Sequence, residues 1–180
     1  MSNYISWVTQ NPLLSAAIQF GLLGTLGEFI SATLKNKKIT LIGNIYQSLT
    51  KILAWAILGL FIKYGFVAMK GAVRALLDHD LLPSFLDSGI GWAFAVSVVT
   101  NLFFGPQMML FHRLEDNLIA GKFDLGGLQN AFYTLIWFWI PAHTVTFSLP
   151  KEMQIGLAAL WSVVLGIILG LTNTKNLKPE

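Results

Sequence analysis

The stretch ILAWAILGLFIKYGFVAM, residues 52–69, carries one charged side chain, Lys63. A helix of about 20 mostly apolar residues is long enough to cross a bilayer core. The helical pattern around this stretch extends from about 39 to 77, which allows tilting or projection into water. The segment therefore predicts a transmembrane helix and places the chain among membrane proteins.

Four further hydrophobic segments lie at about 12–34, 85–111, 131–149 and 153–171. Between the third and the fourth, the polar and amphipathic stretch 113–127 indicates an interfacial helix followed by a loop. We therefore predict an all-α, polytopic transmembrane helical bundle, with residues 1–180 as a single domain. It has five membrane-embedded segments, or four spans if the segment at 131–149 is re-entrant.

The composition agrees with this class of protein. Hydrophobic residues form 54% of the chain and charged residues 12%, whereas about 25% is usual for charged residues in soluble domains. The absence of cysteine excludes disulfides and thiol ligands. A net charge of +3 without a basic face argues against nucleic acid as a partner. The expected partner is the lipid bilayer.

The basic residues predict an orientation. With an odd number of spans and the N-terminus outside, one group falls on the cytoplasmic side: Lys35, Lys37, Lys38, Arg113, Lys122, Lys175 and Lys178. Only Lys70, Arg74 and Lys151 then lie outside. Because cytoplasmic loops are enriched in Lys and Arg, we expect the C-terminus to be cytoplasmic.

Small residues recur every four positions in three segments. They are Ala17, Gly21 and Thr25, then Gly89, Ala93, Ser97, Asn101 and Gly105, then Ala158, Ser162, Gly166 and Gly170. Such faces let helix backbones approach closely in lipid. They indicate helix packing within one chain or, as the alternative, a homo-oligomer formed through these faces.

Two charged residues are expected to meet inside the membrane. At about 1.5 Å per residue from the turn at Lys37, Glu28 lies ~13 Å deep and Lys51 ~21 Å deep. Their side chains can bridge that offset, whereas Lys63, at ~39 Å, is expected at the opposite interface. The Glu28–Lys51 pair is either a structural ion pair or part of the polar lining of an aqueous path.

Three further polar groups lie inside the later segments. Asn101 either bonds neighbouring helices or lines a cavity. His143 and Thr146 follow Pro141, which frees a backbone carbonyl near Trp137. They either satisfy that carbonyl locally or contribute to a solute pathway.

The sequence contains no catalytic motif. His79, His112 and His143 lie on separate segments without the spacing of metal ligands, so we expect neither a metal nor another cofactor. The acidic pair at 115–116 is read as a solvated helix cap. These observations predict that the protein is not an enzyme.

Several positions carry a resemblance to a known family. They are Trp7, Pro12, Gly21, Gly24, Gly27 and Glu28 near the start, Asn101 and Pro106 in the third segment, Trp139, Pro141, Thr146, Phe147 and Pro150 in the fourth, and Trp161 in the last. The chain resembles the family of the twenty-two-kilodalton peroxisomal membrane protein and the inner-mitochondrial membrane protein whose loss depletes mitochondrial DNA. Thr146 stands where that family has Asn. The absence of a transit peptide and the compact length suggest a prokaryotic relative in a cytoplasmic membrane.

The resemblance implies a helical membrane protein that forms a weakly selective channel or transporter-like path for small solutes. An alternative is favoured by the aromatic content of 13%. In that interpretation the chain is a non-conducting scaffold that binds a lipid or another hydrophobic ligand between its helices.

Overall fold

The structure is a computed structural model that describes residues 2–175. Over this range its regular secondary structure is all helical, with no β-strand, which confirms the all-α class. The tail at 176–180, with Lys178 of the predicted cytoplasmic side, lies outside the described residues.

Eight α-helices follow one another along the described chain: α1 (Ser2–Gln10), α2 (Pro12–Asn36), α3 (Ile45–Asp78), α4 (Gly89–Val99), α5 (Gly105–Ala120), α6 (Leu128–Thr134), α7 (Ile140–Ser148) and α8 (Lys151–Lys175). A 3₁₀ turn, Ser84–Leu86, precedes α4. Two π-helical turns, Thr100–Phe104 and Leu135–Trp139, join α4 to α5 and α6 to α7.

Four helical stretches are long and apolar enough to cross a membrane: Pro12–Asn36, Ile45–Asp78, Gly89–Ala120 and Lys151–Leu171. Four of the five predicted segments thus have the length and composition of spans. The remaining segment, 131–149, falls within α6 and α7, and its embedding in the membrane stays a prediction.

Two predicted boundaries differ from the structure. The second segment begins at Ile45 rather than near 39, because Asn44 and Gln47 form a capping box: Asn44 Oδ1 accepts from Gln47 N at 2.9 Å. The stretch 113–120 is the last part of α5 rather than a separate helix, and Gly121, with φ 64°, ends it. The interfacial position of this stretch stays a prediction.

Close helix contacts within the chain involve most of the predicted small-residue faces. A Cβ on Gly27 would lie 2.6 Å from the carbonyl oxygen of Ser162, and one on Gly166 would lie 2.3 Å from that of Gly27. On the other side of α2, a Cβ on Gly24 would lie 2.2 Å from the indole of Trp55. These positions need glycine because backbone or a large ring occupies the space.

The contacts also define helix directions. Gly156 lies beside Gln19 and Gly170 beside Leu34, so α2 and α8 run parallel. Glu28 meets Lys51 and Gly59 meets Phe20, so α2 and α3 run antiparallel. The ends of α2 and α8 therefore lie at the same end of the bundle.

Two prolines inside the predicted segments, Pro106 and Pro141, each follow a π-helical turn. Pro106 lies two residues after Thr100–Phe104, and Pro141 two residues after Leu135–Trp139. Proline offers no N–H, and its ring clashes with the carbonyl four residues earlier in an α-helix. Within each turn an i→i+5 bond forms instead, from Gly105 N to the Thr100 oxygen and from Ile140 N to the Leu135 oxygen.

Large apolar side chains cover the outside of the bundle. Leu22, Leu53, Phe103 and Ile136 are each more than half exposed. Soluble monomers rarely expose apolar patches of this extent. Together with the long apolar helices, this surface is that of a membrane protein.

Candidate functional site

A cavity of about 280 Å³ lies between α2, α3 and α8 on one side and α5, α6, α7 and the two π turns on the other. Its walls are mainly aromatic and aliphatic, with Phe20, Trp55, Leu58, Ile62, Phe66, Phe104, Met108, Met109, Leu135, Trp139, Ala158, Leu165 and Leu169 among them. Polar groups line it at Glu28, Ser31, Thr100, Asn101, His112, Thr134, His143 and Ser162. Three predicted polar positions, Glu28, Asn101 and His143, thus share one cavity.

The first polar group at this cavity is the Lys51 cluster, which comprises Glu28, Lys51, Trp55, His112 and Asp116. Lys51 Nζ lies 2.9 Å from Glu28 Oε2, so the structure contains the predicted pair. Lys51, which is only 7% exposed, also pairs with Asp116. Asp116, read from the sequence as a solvated cap, is therefore the partner of a buried lysine.

Besides Asp116, two further members of the Lys51 cluster were not predicted. Trp55 Nε1 donates to Glu28 Oε1 at 2.8 Å, and His112 Nε2 lies 3.5 Å from the same oxygen. His112 and Asp116 are four residues apart and so share one face of α5. The spacing of His112 and Asp116 could have indicated from the sequence that they act together, but it does not reveal that α2 and α3 pack against this face.

The histidines lack metal-ligand spacing in the sequence, but the fold brings His112 next to two carboxylates from different parts of the chain. Ligand atoms of Glu28, His112 and Asp116 lie within 4.8 Å of one another. The Lys51 ammonium lies against both carboxylates and supplies the positive charge that a metal ion would bring. A cation could bind there only after displacing Lys51, and desolvation would oppose that step.

The second polar group is the His143 cluster, which comprises Thr100, Asn101, Trp139 and His143. Asn101 Nδ2 lies 3.1 Å from His143 Nδ1 and 2.8 Å from the Ser97 carbonyl oxygen. The His143 ring packs on Trp139, with ring centroids 5.0 Å apart. The π turns bring these residues together, because Thr100 and Asn101 lie in one turn and Trp139 in the other.

Two polar atoms of the His143 cluster are buried without a hydrogen-bond partner among the described residues. They are Thr100 Oγ1 and Trp139 Nε1. An unpaired buried donor or acceptor costs about 1–3 kcal/mol. Both residues line the cavity, so the two unpaired atoms lie beside it, although protein covers the atoms themselves.

The expected repair of the backbone by His143 or Thr146 does not occur at Trp137. Thr146 Oγ1 donates to the Ala142 oxygen at 2.9 Å and accepts from Trp161 Nε1 at 3.1 Å. Thr146 is fully buried and does not belong to the cavity wall. It therefore connects α7 to α8 and offers nothing to a solute.

The other positions of the family resemblance have structural places. Pro12 begins α2, and Gly21 lies against the Ile52 carbonyl. Phe147 packs on Phe66, with ring centroids 4.7 Å apart.

The two remaining lysines of α3 differ in their partners. Lys63 forms no ion pair among the described residues, whereas Lys70 Nζ donates to Gln154 Oε1 at 2.8 Å.

The cavity thus offers an apolar volume with an ion-paired group and a neutral polar group on its wall. Such a site can hold an apolar molecule and orient it through a few hydrogen bonds. Comparison of the chain with family models, with curated proteins and with solved structures finds no match, so the family resemblance of its sequence stays a prediction.

Proposed function

We propose that this membrane protein binds a small hydrophobic ligand in the cavity between its helices. The observation that carries this proposal is the wall of the cavity, where aromatic and aliphatic side chains predominate. Ligand sites are typically concave, mainly apolar and supplied with a few polar groups that fix orientation. The cavity matches that description.

The volume agrees with a ligand of modest size. An engineered cavity of about 150 Å³ takes up benzene. At about 280 Å³ this cavity has room for roughly a two-ring molecule or a short lipid fragment. Electrostatic attraction would add little to the binding of such a molecule, because the Glu28 carboxylate on the cavity wall is already paired with Lys51.

A matched pair of variants on α8 tests this proposal. Leu165 lines the cavity, whereas Leu160 is 47% exposed on the same helix. Leu165→Trp should fill part of the cavity and Leu160→Trp should leave it open. We expect about one small apolar molecule per chain, detected by mass spectrometry of extracts of the detergent-purified protein, in the wild type and in Leu160→Trp. Leu165→Trp should lose most of it.

The proposal fails if no molecule co-purifies with the wild type and none can be loaded from added lipid extract. It also fails if Leu165→Trp retains as much ligand as Leu160→Trp, because the ligand then lies elsewhere.

A second function is a weakly selective channel for small solutes. Glu28, Asn101 and His143 lie on one cavity wall, and the family resemblance favours this function. Liposomes with the wild-type protein should then release small ions or metabolites faster than empty liposomes, and Glu28→Leu/Lys51→Leu should change that rate. A pore of this kind would use several copies of the chain, since a cavity of about 280 Å³ leaves little room for a continuous path through one bundle.

For the orientation we propose a cytoplasmic C-terminus. The parallel course of α2 and α8 supports it, because Lys35 and Lys175 then lie at the same end of the bundle. Accessibility of a single cysteine, added to this cysteine-free chain near 175, tests the side.

A further inference from the structure

We propose that the ligand carries a neutral carbonyl oxygen and that the His143 cluster recognises this oxygen by hydrogen bonds. This inference rests on the proposed ligand-binding function and adds the chemical class of the ligand. It starts from the donors that the cluster presents without a partner.

Trp139 Nε1 is the clearest of these donors. An indole nitrogen can only donate, and this one is buried without a partner in the described part of the chain. Thr100 Oγ1 is in the same state, and the residue is 1% exposed. Both residues line the cavity, and although the two atoms are themselves covered by protein, an acceptor that enters beside them is the group that would satisfy them.

Asn101 sets the proton of His143. Its Nδ2 atom lies 2.8 Å from the Ser97 carbonyl oxygen, which only accepts, so this atom is the amide nitrogen. The same nitrogen lies 3.1 Å from His143 Nδ1, which must therefore accept. A neutral imidazole with Nδ1 as the acceptor carries its proton on Nε2. His143 thus adds a second ring N–H donor to the cavity wall.

The charge of the site selects a neutral acceptor. A carboxylate or phosphate would need a cation to offset its burial, and the Lys51 ammonium is engaged by Glu28 and Asp116. An amine or another donor would leave both ring N–H groups unsatisfied. A ketone, quinone or amide carbonyl has two lone pairs and no charge, and it fits the donors present.

Benzophenone and diphenylmethane form a matched probe pair, because they differ only in the carbonyl. Benzophenone also labels nearby C–H bonds on irradiation, and Met108 and Met109 lie on the cavity wall. The full chain in lipid nanodiscs would be labelled with increasing benzophenone and read by intact mass, with diphenylmethane as the competitor. Concentrations are expressed per lipid to correct for partitioning.

We expect saturable labelling near one benzophenone per chain, with diphenylmethane binding about 10-fold or more weakly. Thr100→Val and Trp139→Phe should each weaken benzophenone binding by about 3- to 10-fold more than they weaken diphenylmethane binding.

Two controls match these variants. Thr134→Val removes a hydroxyl from the same cavity wall, but that hydroxyl already donates to the Ala131 oxygen at 2.6 Å. Trp137→Phe removes an indole that is 51% exposed. Both should change benzophenone binding by less than about 2-fold.

Two outcomes separate the two proposals. If diphenylmethane binds as tightly as benzophenone, carbonyl recognition is wrong and ligand binding stands; this comparison needs only the wild type, so a variant that misfolds does not decide it. If neither compound saturates a site, the ligand-binding function is wrong and the inference falls with it.

Discussion

The Lys51 cluster and the His143 cluster border the same cavity, yet they solve the burial of polar groups in opposite ways. In the first, Glu28, Lys51 and Asp116 neutralise one another. In the second no formal charge is present, and Thr100 Oγ1 and Trp139 Nε1 remain without hydrogen-bond partners in the described chain, as His112 Nδ1 does in the first. Burying an unpaired charge costs several kcal/mol, whereas an unpaired neutral group costs about 1–3 kcal/mol.

This difference indicates separate roles. An ion-paired group resists rearrangement because separating its members exposes a charge to low dielectric. The Lys51 cluster therefore holds α2, α3 and α5 together. An unpaired neutral group costs less than an unpaired charge and would gain stability from a ligand that satisfies it, so we assign the proposed recognition to the His143 cluster.

The largest effect is expected from Lys51→Leu, which leaves the Glu28 and Asp116 carboxylates without their cation. We expect the free energy of unfolding to fall by about 3 kcal/mol, measured by SDS titration in mixed micelles. Lys63→Leu on the same helix, where no ion pair is lost among the described residues, should change it by less than about 1 kcal/mol. The triple variant Glu28→Leu/Lys51→Leu/Asp116→Leu should recover most of the loss; equal stability of Lys51→Leu and wild type would remove the structural role.

Gly24→Ala should be the next most disruptive change. Its Cβ would lie 2.2 Å from the Trp55 indole, which must move away from Glu28. We expect a loss of about 2 kcal/mol in the same titration. Gly71→Ala is the control, because nothing lies within 4 Å of its Cβ, and helix propensity should make it neutral or slightly stabilising. Similar values for both variants would contradict the close packing of Trp55.

Asn101→Ala tests the neutral group. It removes the partner of His143 Nδ1 and a bond to the Ser97 oxygen. The expected loss is about 1.5 kcal/mol, smaller than for Lys51→Leu because no charge is left unpaired. Asn130→Ala, at an exposed position, should change stability by less than about 0.5 kcal/mol. A loss as large as that of Lys51→Leu would abolish the contrast between the clusters.

The smallest effects distinguish two buried threonines. Thr146→Val removes the acceptor of Trp161 Nε1 and should cost about 1 kcal/mol. Thr100→Val replaces a hydroxyl that has no partner in the described chain and should be neutral or stabilising in the ligand-free protein. Thermal unfolding of both in one detergent gives the comparison. A greater loss for Thr100→Val would mean that its hydroxyl already has a partner, such as water.

Much of the architecture was predictable from sequence because membrane spans follow from length and hydropathy alone. Residues 52–69 required a helix, but its start at Ile45 was missed, because the capping pair Asn44 and Gln47 was not recognised in the sequence. The Glu28–Lys51 pair was predictable as well, since depth along two helices joined by a short loop is simple arithmetic. The residues opposite that pair were not predictable. Sequence spacing within α5 places His112 and Asp116 on one face, but it does not show which helices pack against that face.

The π turns were also beyond sequence reasoning. Proline at 106 and 141 predicts a bend, but the form of the bend depends on what neighbouring helices can accept. Thr100, the first residue of its turn, attracted no prediction, because a threonine in an apolar helix ordinarily bonds its own backbone.

By itself, the sequence determined that the chain is helical and has long apolar helices, because hydrophobicity and helical period act locally along the backbone. It also determined that charge inside those helices would need a partner. Only the tertiary structure decided which groups are satisfied and which are left facing the cavity, because hydrogen bonding between segments 40 or more residues apart, such as Asn101 with His143, depends on how the helices pack. That distribution of paired and unpaired groups separates the structural site from the proposed ligand site.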